Sequence, residues 1–394
     1  MKKFVSKAII FLTVIASYAL FCEYFFFKDK ELLSIEKITE EQCKSQTEKY
    51  YFRKFFDNSP SLYKLMMTVK KNAEILVVGQ STVLQFRDFM FHPLEKSFYN
   101  MGPSLTSINE LQNLIQLIKN KKIKKPKVLI IGLDLSLVKK TNNSLPVNTA
   151  TIPQEDEVFH IKYHAAAAQS LIKFIYQNGF DKTYSKKNCG FGYLGSRGTG
   201  YRNDGSLHYA QDIADYLKTP VFRDGINYKG LLKNKDYIFT YPFEVDPVLV
   251  NNLVLTLKQL RQADIQTLIF FPPVSNDFFA YFSKDKSFYR CFKQYLSIQD
   301  TLKKNNFDFI PFSTPEKLGL PDNYMLDGIH PSEVLVGMLL HKYLIQHTPE
   351  GLLNKVDSMN LKQLIISKNT IPLSFMRDTA VFSNFLKITT VKHN

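Results

Sequence analysis

From Ala8 to Phe27 the chain is apolar almost without interruption, Glu23 is its one charge, and Lys2, Lys3 and Lys7 stand ahead of it. A run of this length is enough to cross the hydrocarbon core of a bilayer. Lysines ahead of a span hold the N-terminus in the cytoplasm, so everything after Lys28 is expected on the far side, periplasmic or cell-surface. Tyr24 to Phe27 fill the place where a signal peptidase needs small residues, so the run reads as a retained single-pass anchor. Phe21 ahead of Cys22 is too large for a lipid-attachment box. Residues 1–29 are therefore the cytoplasmic tip and anchor. Residues 30–71 are polar and charged with scattered aromatics, and read as a stalk with short helices.

After the stalk the pattern changes to short apolar runs. Glu74 to Gly79, Val128 to Gly132, Thr267 to Phe271 and Phe307 to Ile310 are too continuous for half-exposed strands and predict strands covered on both faces. Helical spacing separates them: Ile108, Leu111, Ile115 and Ile118, then Pro247 to Ala263, then a long stretch from Phe279 to Lys304. Strands alternating with helices predict a parallel, doubly wound α/β sheet with right-handed crossovers over residues 72–347. The alternation lapses over residues 135–245, which hold one predicted helix, Asp156 to Tyr176, and a basic Gly-rich loop from Cys189 to Gly205. This reads as an insertion at the carboxyl end of the Val128 strand, where open α/β sheets carry their ligands. A closing helix follows from Ser332 to about Gln346, and residues 348–394 form a weakly patterned tail.

Composition changes this picture little. Hydrophobic residues make up 45% of the 394-residue chain, with 33 Phe and 21 Tyr, which is ample for a large core and excludes intrinsic disorder. The net charge of +15 would suit nucleic acid in a cytoplasmic protein. An exported chain instead meets anionic lipid headgroups and acidic envelope polymers, or uses the charge for solubility alone. With Cys22 inside the span, Cys43, Cys189 and Cys291 allow at most one intramolecular disulfide.

Chemistry gathers at two places. The first strand ends in Gly79-Gln80-Ser81-Thr82, and residues Val83 to Phe91 can start a helix. A serine in such a turn exposes its hydroxyl beside backbone amides able to hold an oxyanion, or else simply caps the helix. Far downstream, Asp327-Gly328-Ile329-His330-Pro331 precedes the last helix. His330 can take a proton from a serine hydroxyl, and a carboxylate three residues earlier can orient its other nitrogen.

Together these segments resemble the SGNH, or GDSL-like, hydrolase superfamily. Its Gly-Asp-Ser block is matched by Gly79-Gln80-Ser81 and its Asp-x-x-His block by Asp327 to His330; Asn100-Met101-Gly102-Pro103-Ser104 stands where its second block has glycine. The resemblance implies a flavodoxin-like fold, Ser81 as nucleophile, His330 as acid and base, Asp327 as its orienter, and an oxyanion hole from the Ser81 and Gly102 amides. The third block departs: Gly132-Leu133-Asp134 puts a carboxylate where the family has asparagine, and an ionised carboxylate only accepts hydrogen bonds. Asp134 could bind a substrate hydroxyl, position the insertion, or hold a basic residue such as Arg197 or Arg202. Phe271-Pro272-Pro273 follows the third apolar run at the same edge, so Pro273 either walls a pocket or ends a strand. The lysine-rich run 119–127 lies at the opposite edge and reads as solvated loop or lipid contact. His160, His164 and His208 lack metal-ligand spacing, so no zinc and no cofactor are expected.

The anchor, the Gln-type first block and Asp204-Gly205-Ser206 look like envelope proteins that acylate or deacylate polysaccharides, such as the DltD-like and alginate O-acetylation groups. That likeness implies an esterase or O-acyltransferase acting on an acylated glycan or lipid-linked polymer, working beside a membrane-bound O-acyltransferase. A catalytically inactive binding partner of such an acyltransferase is the alternative.

Overall fold

The computed structural model describes residues 2–56, 60–140, 161–179, 189–219, 226–235, 239–240, 242–347, 349–367 and 370–375. They form two compact units, one from within Met1–Tyr63, Pro153–Asn203 and Leu207–Tyr209, the other from within Lys64–Ile152, Asp204–Ser206 and Ala210–Asn394.

The first unit begins with the helix Lys2–Lys28, which over Lys3–Lys28 is long and apolar enough to cross a membrane. Phe4, Ile10, Phe11 and Leu20 lie exposed along it. Its last turns behave differently: Cys22, Phe25 and Phe26 bury against Phe55, Phe56, Leu171 and Tyr193. Within residues 30–71, expected as a stalk, the first unit takes the helix Ile35–Lys44, capped by Ser34, and an inner strand, Tyr50–Tyr51, of a four-stranded sheet. The other strands are Gly190–Phe191, Gly200–Tyr201 and Leu207–His208. Gln42 ties helix to sheet, donating to the Tyr201 carbonyl at 3.0 Å and accepting from the Tyr63 hydroxyl at 2.6 Å. The helix expected over Asp156 to Tyr176 is Ile161–Asn178, and its expected first residues, like His160, lie outside the described residues.

The second unit is built on a five-stranded parallel sheet: β1 (Ile75–Val78), β2 (Phe98–Asn100), β3 (Val128–Gly132), β4 (Gln266–Phe270) and β5 (Asp308–Ile310). Their order is 2-1-3-4-5, with Val77 beside Asn100 on one flank and Ile130 on the other. β1 and β3 are buried throughout, as their continuous apolar runs require. The helices Ile108–Lys119 and Pro247–Gln262 match the helical spacing, the first closed by a Ser107–Glu110 capping box and the second by Asp246 with Pro247 at its first position.

Three expectations change. The long helix from Phe279 to Lys304 is three helices, Asn276–Phe282, Lys286–Leu296 and Ile298–Lys304. Asp285 starts the second of them by accepting the Ser287 and Phe288 amides, a cap that interrupts the period. Val83 to Phe91 forms no α-helix; it holds 3₁₀ turns at Ser81–Val83 and Asp88–Phe91. Asn100 Nδ2 donates to the carbonyls of Val83 and Phe86 at 2.8 and 3.0 Å, which removes acceptors an α-helix would use itself. The tail is not idle either: Leu353, Val356, Leu361 and Phe375 join the core around the helix Glu333–His347. Their anchoring residues are too few and too widely spaced to register as a period.

Candidate active site

β1 ends at Val78, and Gly79, with φ of +156°, turns the chain so that Ser81 stands at the carboxyl end of the sheet. What seats this turn is Val83. A Cβ built on Gly79, Gly102 or Gly132 would approach a Val83 methyl to 2.8, 2.6 or 2.2 Å, respectively. The three glycines follow or end three adjacent strands, and their missing side chains leave the space that Val83 fills. The serine turn is therefore plugged into the sheet edge by shape.

The partner loop is held by hydrogen bonds. Asp327 Oδ1 accepts the backbone N–H of Ile329 and of His330, each at 2.9 Å, closing a tight turn. Asp327 Oδ2 meets His330 Nδ1 at 2.8 Å, and His330 Nε2 meets Ser81 Oγ at 2.8 Å. The Leu326 amide donates to the His330 carbonyl at 2.8 Å and closes the loop just before the helix Glu333–His347. A buried ion network joins the two segments. Arg87 pairs with Asp204 at 3.0 Å and with Glu333 at 2.9 Å, linking the chain after Ser81 to the helix after His330. Tyr228 Oη stands 3.4 Å from His330 Nδ1, a looser second neighbour.

Burial opposes charge on His330, yet the hydrogen bond and charge of Asp327, with Asp134 and Asp212 adding, hold its pKa above the ordinary value. Asp327 is also penalised by burial, and the His330 ring together with the Ile329 and His330 amides outweighs this, so its carboxyl is held below the usual range. Asp134 follows β3 and faces the same space. Burial pushes its pKa up to about 6, against the hydrogen bond from Thr82 and the charge of His330. Thr82 Oγ1 lies 3.1 and 2.9 Å from its two oxygens.

These groups open on a cavity of about 120 Å³. Gln80, Ser81, Thr82, Asp134, Ser136 and His330 give it polar lining, and Pro273 and a cluster of phenylalanines are among its apolar lining. Leu135, Ser136, Tyr228 and Phe239, from the segment read as an insertion, are also in the wall. Arg197 and Arg202 are not. Arg197 pairs with Asp29 at 3.4 Å and Arg202 donates to the Leu207 carbonyl at 3.1 Å; Asp134 accepts from Thr82 and from the Gln80 amide. The Gly102 amide donates to Asn100 Oδ1 at 3.0 Å and is already engaged. The Ser81 amide opens a 3₁₀ turn, a position that lacks an intrahelical acceptor.

His164 bonds Glu23 and His208 the Gly198 carbonyl, each at 2.6 Å, and no group of three or more metal-ligating side chains occurs among the described residues. No disulfide joins the cysteines. Sequence reasoning missed Thr82, Asn100, the Arg87 network and the phenylalanine wall. For the last there was a signal, since Phe288, Phe292 and Tyr295 repeat at helical spacing on one face. No family model, curated protein or solved structure matches this chain.

Proposed function

We propose that this protein is a membrane-anchored serine esterase or O-acyltransferase of the SGNH type, acting on esters of an envelope polysaccharide or lipid-linked glycan. The observation that carries the reading is the continuous relay from Asp327 through His330 to Ser81, with 2.8 Å at each step. The strand order 2-1-3-4-5 supports a doubly wound, flavodoxin-like sheet, and the serine lies at the carboxyl edge where such sheets bind ligands. The apolar first helix supports an anchor and an extracytoplasmic domain.

In this mechanism His330 Nε2 takes the proton as Ser81 Oγ attacks the acyl carbonyl, and Asp327 holds Nδ1–H and stabilises the imidazolium. The Ser81 amide donates to the oxyanion. Collapse releases the alcohol, protonated by His330, and leaves an acyl-serine. Water or a sugar hydroxyl then gives its proton to His330 and takes the acyl group. Asp134 sets the limit: ionised, it opposes negative charge growing on the carbonyl oxygen, and this favours the rival reading of an inactive binding partner for a membrane O-acyltransferase.

Mixing the full-length protein in detergent with p-nitrophenyl butyrate separates the two. An acyl adduct on Ser81, absent in Ser81→Ala, supports the enzyme; added polysaccharide that becomes O-acylated marks transfer. No adduct, with wild type and Ser81→Ala behaving alike, supports the binding partner.

A further inference from the structure

The cavity lined by Ser81 and His330 has five phenylalanines in its wall, beside Leu135, Pro272, Pro273, Val274 and Ile329. Phe239, Phe278, Phe282, Phe288 and Phe292 are each 5% exposed or less and pack ring on ring. Phe282 lies 4.8 Å from Phe292 and 5.3 Å from both Phe278 and Phe288, and Phe239 lies 5.4 Å from Phe288. Interlocked rings of this kind form a stiff surface. Among the described residues lining the cavity, the polar side chains belong to the segments of Ser81, Asp134 and His330 and to Tyr228, 3.4 Å from His330, while Tyr295 gives its hydroxyl to the Leu133 carbonyl at 2.6 Å. A sugar ring against the phenylalanines would leave its hydroxyls without partners, which is costly. Among the described residues lining the cavity the one carboxylate is Asp134, beside Ser81, so an ammonium finds no other there.

We propose that this aromatic pocket binds the acyl group of the substrate, and that the group is an uncharged apolar chain of about six carbons instead of acetyl or an aminoacyl group. The size follows from the cavity: about 120 Å³ compares with engineered apolar cavities of roughly 150 Å³ that hold benzene. The proposal rests on Ser81 being the acyl acceptor, because the carbonyl must sit beside Ser81 for the chain to lie along the rings. Val274, half-buried in the same wall, is the place where a larger side chain would fill the pocket.

The test is the ratio of kcat/KM across p-nitrophenyl esters from acetate to dodecanoate with the full-length protein in detergent. Burying one methylene favours binding about fourfold, so hexanoate should exceed acetate by roughly 10²-fold, with no further gain beyond about eight carbons. Val274→Phe should lower that ratio at least tenfold. Equal or better turnover of acetyl or glycyl esters overturns the pocket assignment and leaves the esterase reading standing. Absence of any Ser81-dependent turnover removes the esterase reading instead. The pocket is then judged by methyl hexanoate binding to Ser81→Ala in saturation-transfer NMR. Binding that Val274→Phe abolishes supports the apolar site, and no binding overturns it.

Discussion

The serine turn and the histidine loop meet at 2.8 Å but are held by different physics. Ser81 is placed by shape, since Val83 fills a hollow left by Gly79, Gly102 and Gly132, which come from three segments far apart in the chain. His330 is placed by local hydrogen bonds, with one carboxylate three residues earlier serving both its backbone and its ring. A packed plug tolerates little change of volume and is indifferent to pH. A carboxylate turn tolerates isosteric change and responds to charge. The Arg87 bridge between Asp204 and Glu333 ties the two designs into one site.

Removing either end of the relay should have the largest effect. Ser81→Ala and His330→Ala are each expected to lower kcat for an aryl ester by at least about 10³-fold, and the double variant little further, because the two act as a unit. Additive losses in steady-state kinetics would separate them. Asp327→Asn comes next, since it keeps an oxygen for the turn but loses the acceptor that fixes Nδ1–H; a loss of roughly 10²- to 10⁴-fold with an almost unchanged Tm is expected. Breaking the plug has the opposite signature. Gly132→Ala should cost about 1–3 kcal/mol in denaturant unfolding, along with activity, and Val83→Ala in the same chain should restore part of both. An unstable Asp327→Asn together with a stable Gly132→Ala would invert the comparison.

The smallest effects are those of pH. Asp134 adds to the forces that raise the His330 pKa, so the acid limb of kcat/KM should lie above the ordinary histidine value and move to lower pH in Asp134→Asn. Asp134 itself titrates near 6 when folded, above its ordinary 3.8. Between these values the native state holds more protons, so its contribution to stability falls as pH rises through the window and is flat above it. Asp134→Asn should remove that slope from unfolding measured between pH 4 and 7. The His330 pair runs on its own window, with its contribution full below the unfolded value and lost as pH rises through the elevated folded one.

The same contrast explains what could be read from the chain. The Asp327 to His330 turn is local, so its spacing carries its geometry, and β1 and β3 are legible because double-sided burial demands continuous apolar runs. The glycines are visible as residues, but that all three serve Val83 requires the sheet order. The carboxamide of Asn100, which unwinds the expected helix after Ser81, acts across 14 to 17 positions and leaves no local pattern. The partners of Arg197 and Arg202, Asp29 and the Leu207 carbonyl, are set by tertiary packing that no local spacing shows. The stalk lacked an apolar run because its strand is two residues long.

The most direct test is fluorophosphonate labelling of the full-length protein, with the adduct located by mass spectrometry across pH. One modified serine is expected, Ser81, labelled at a rate that rises with pH through the elevated His330 pKa and is lost in His330→Ala. A label on another serine, or labelling of Ser81 that His330→Ala leaves unchanged, would contradict it.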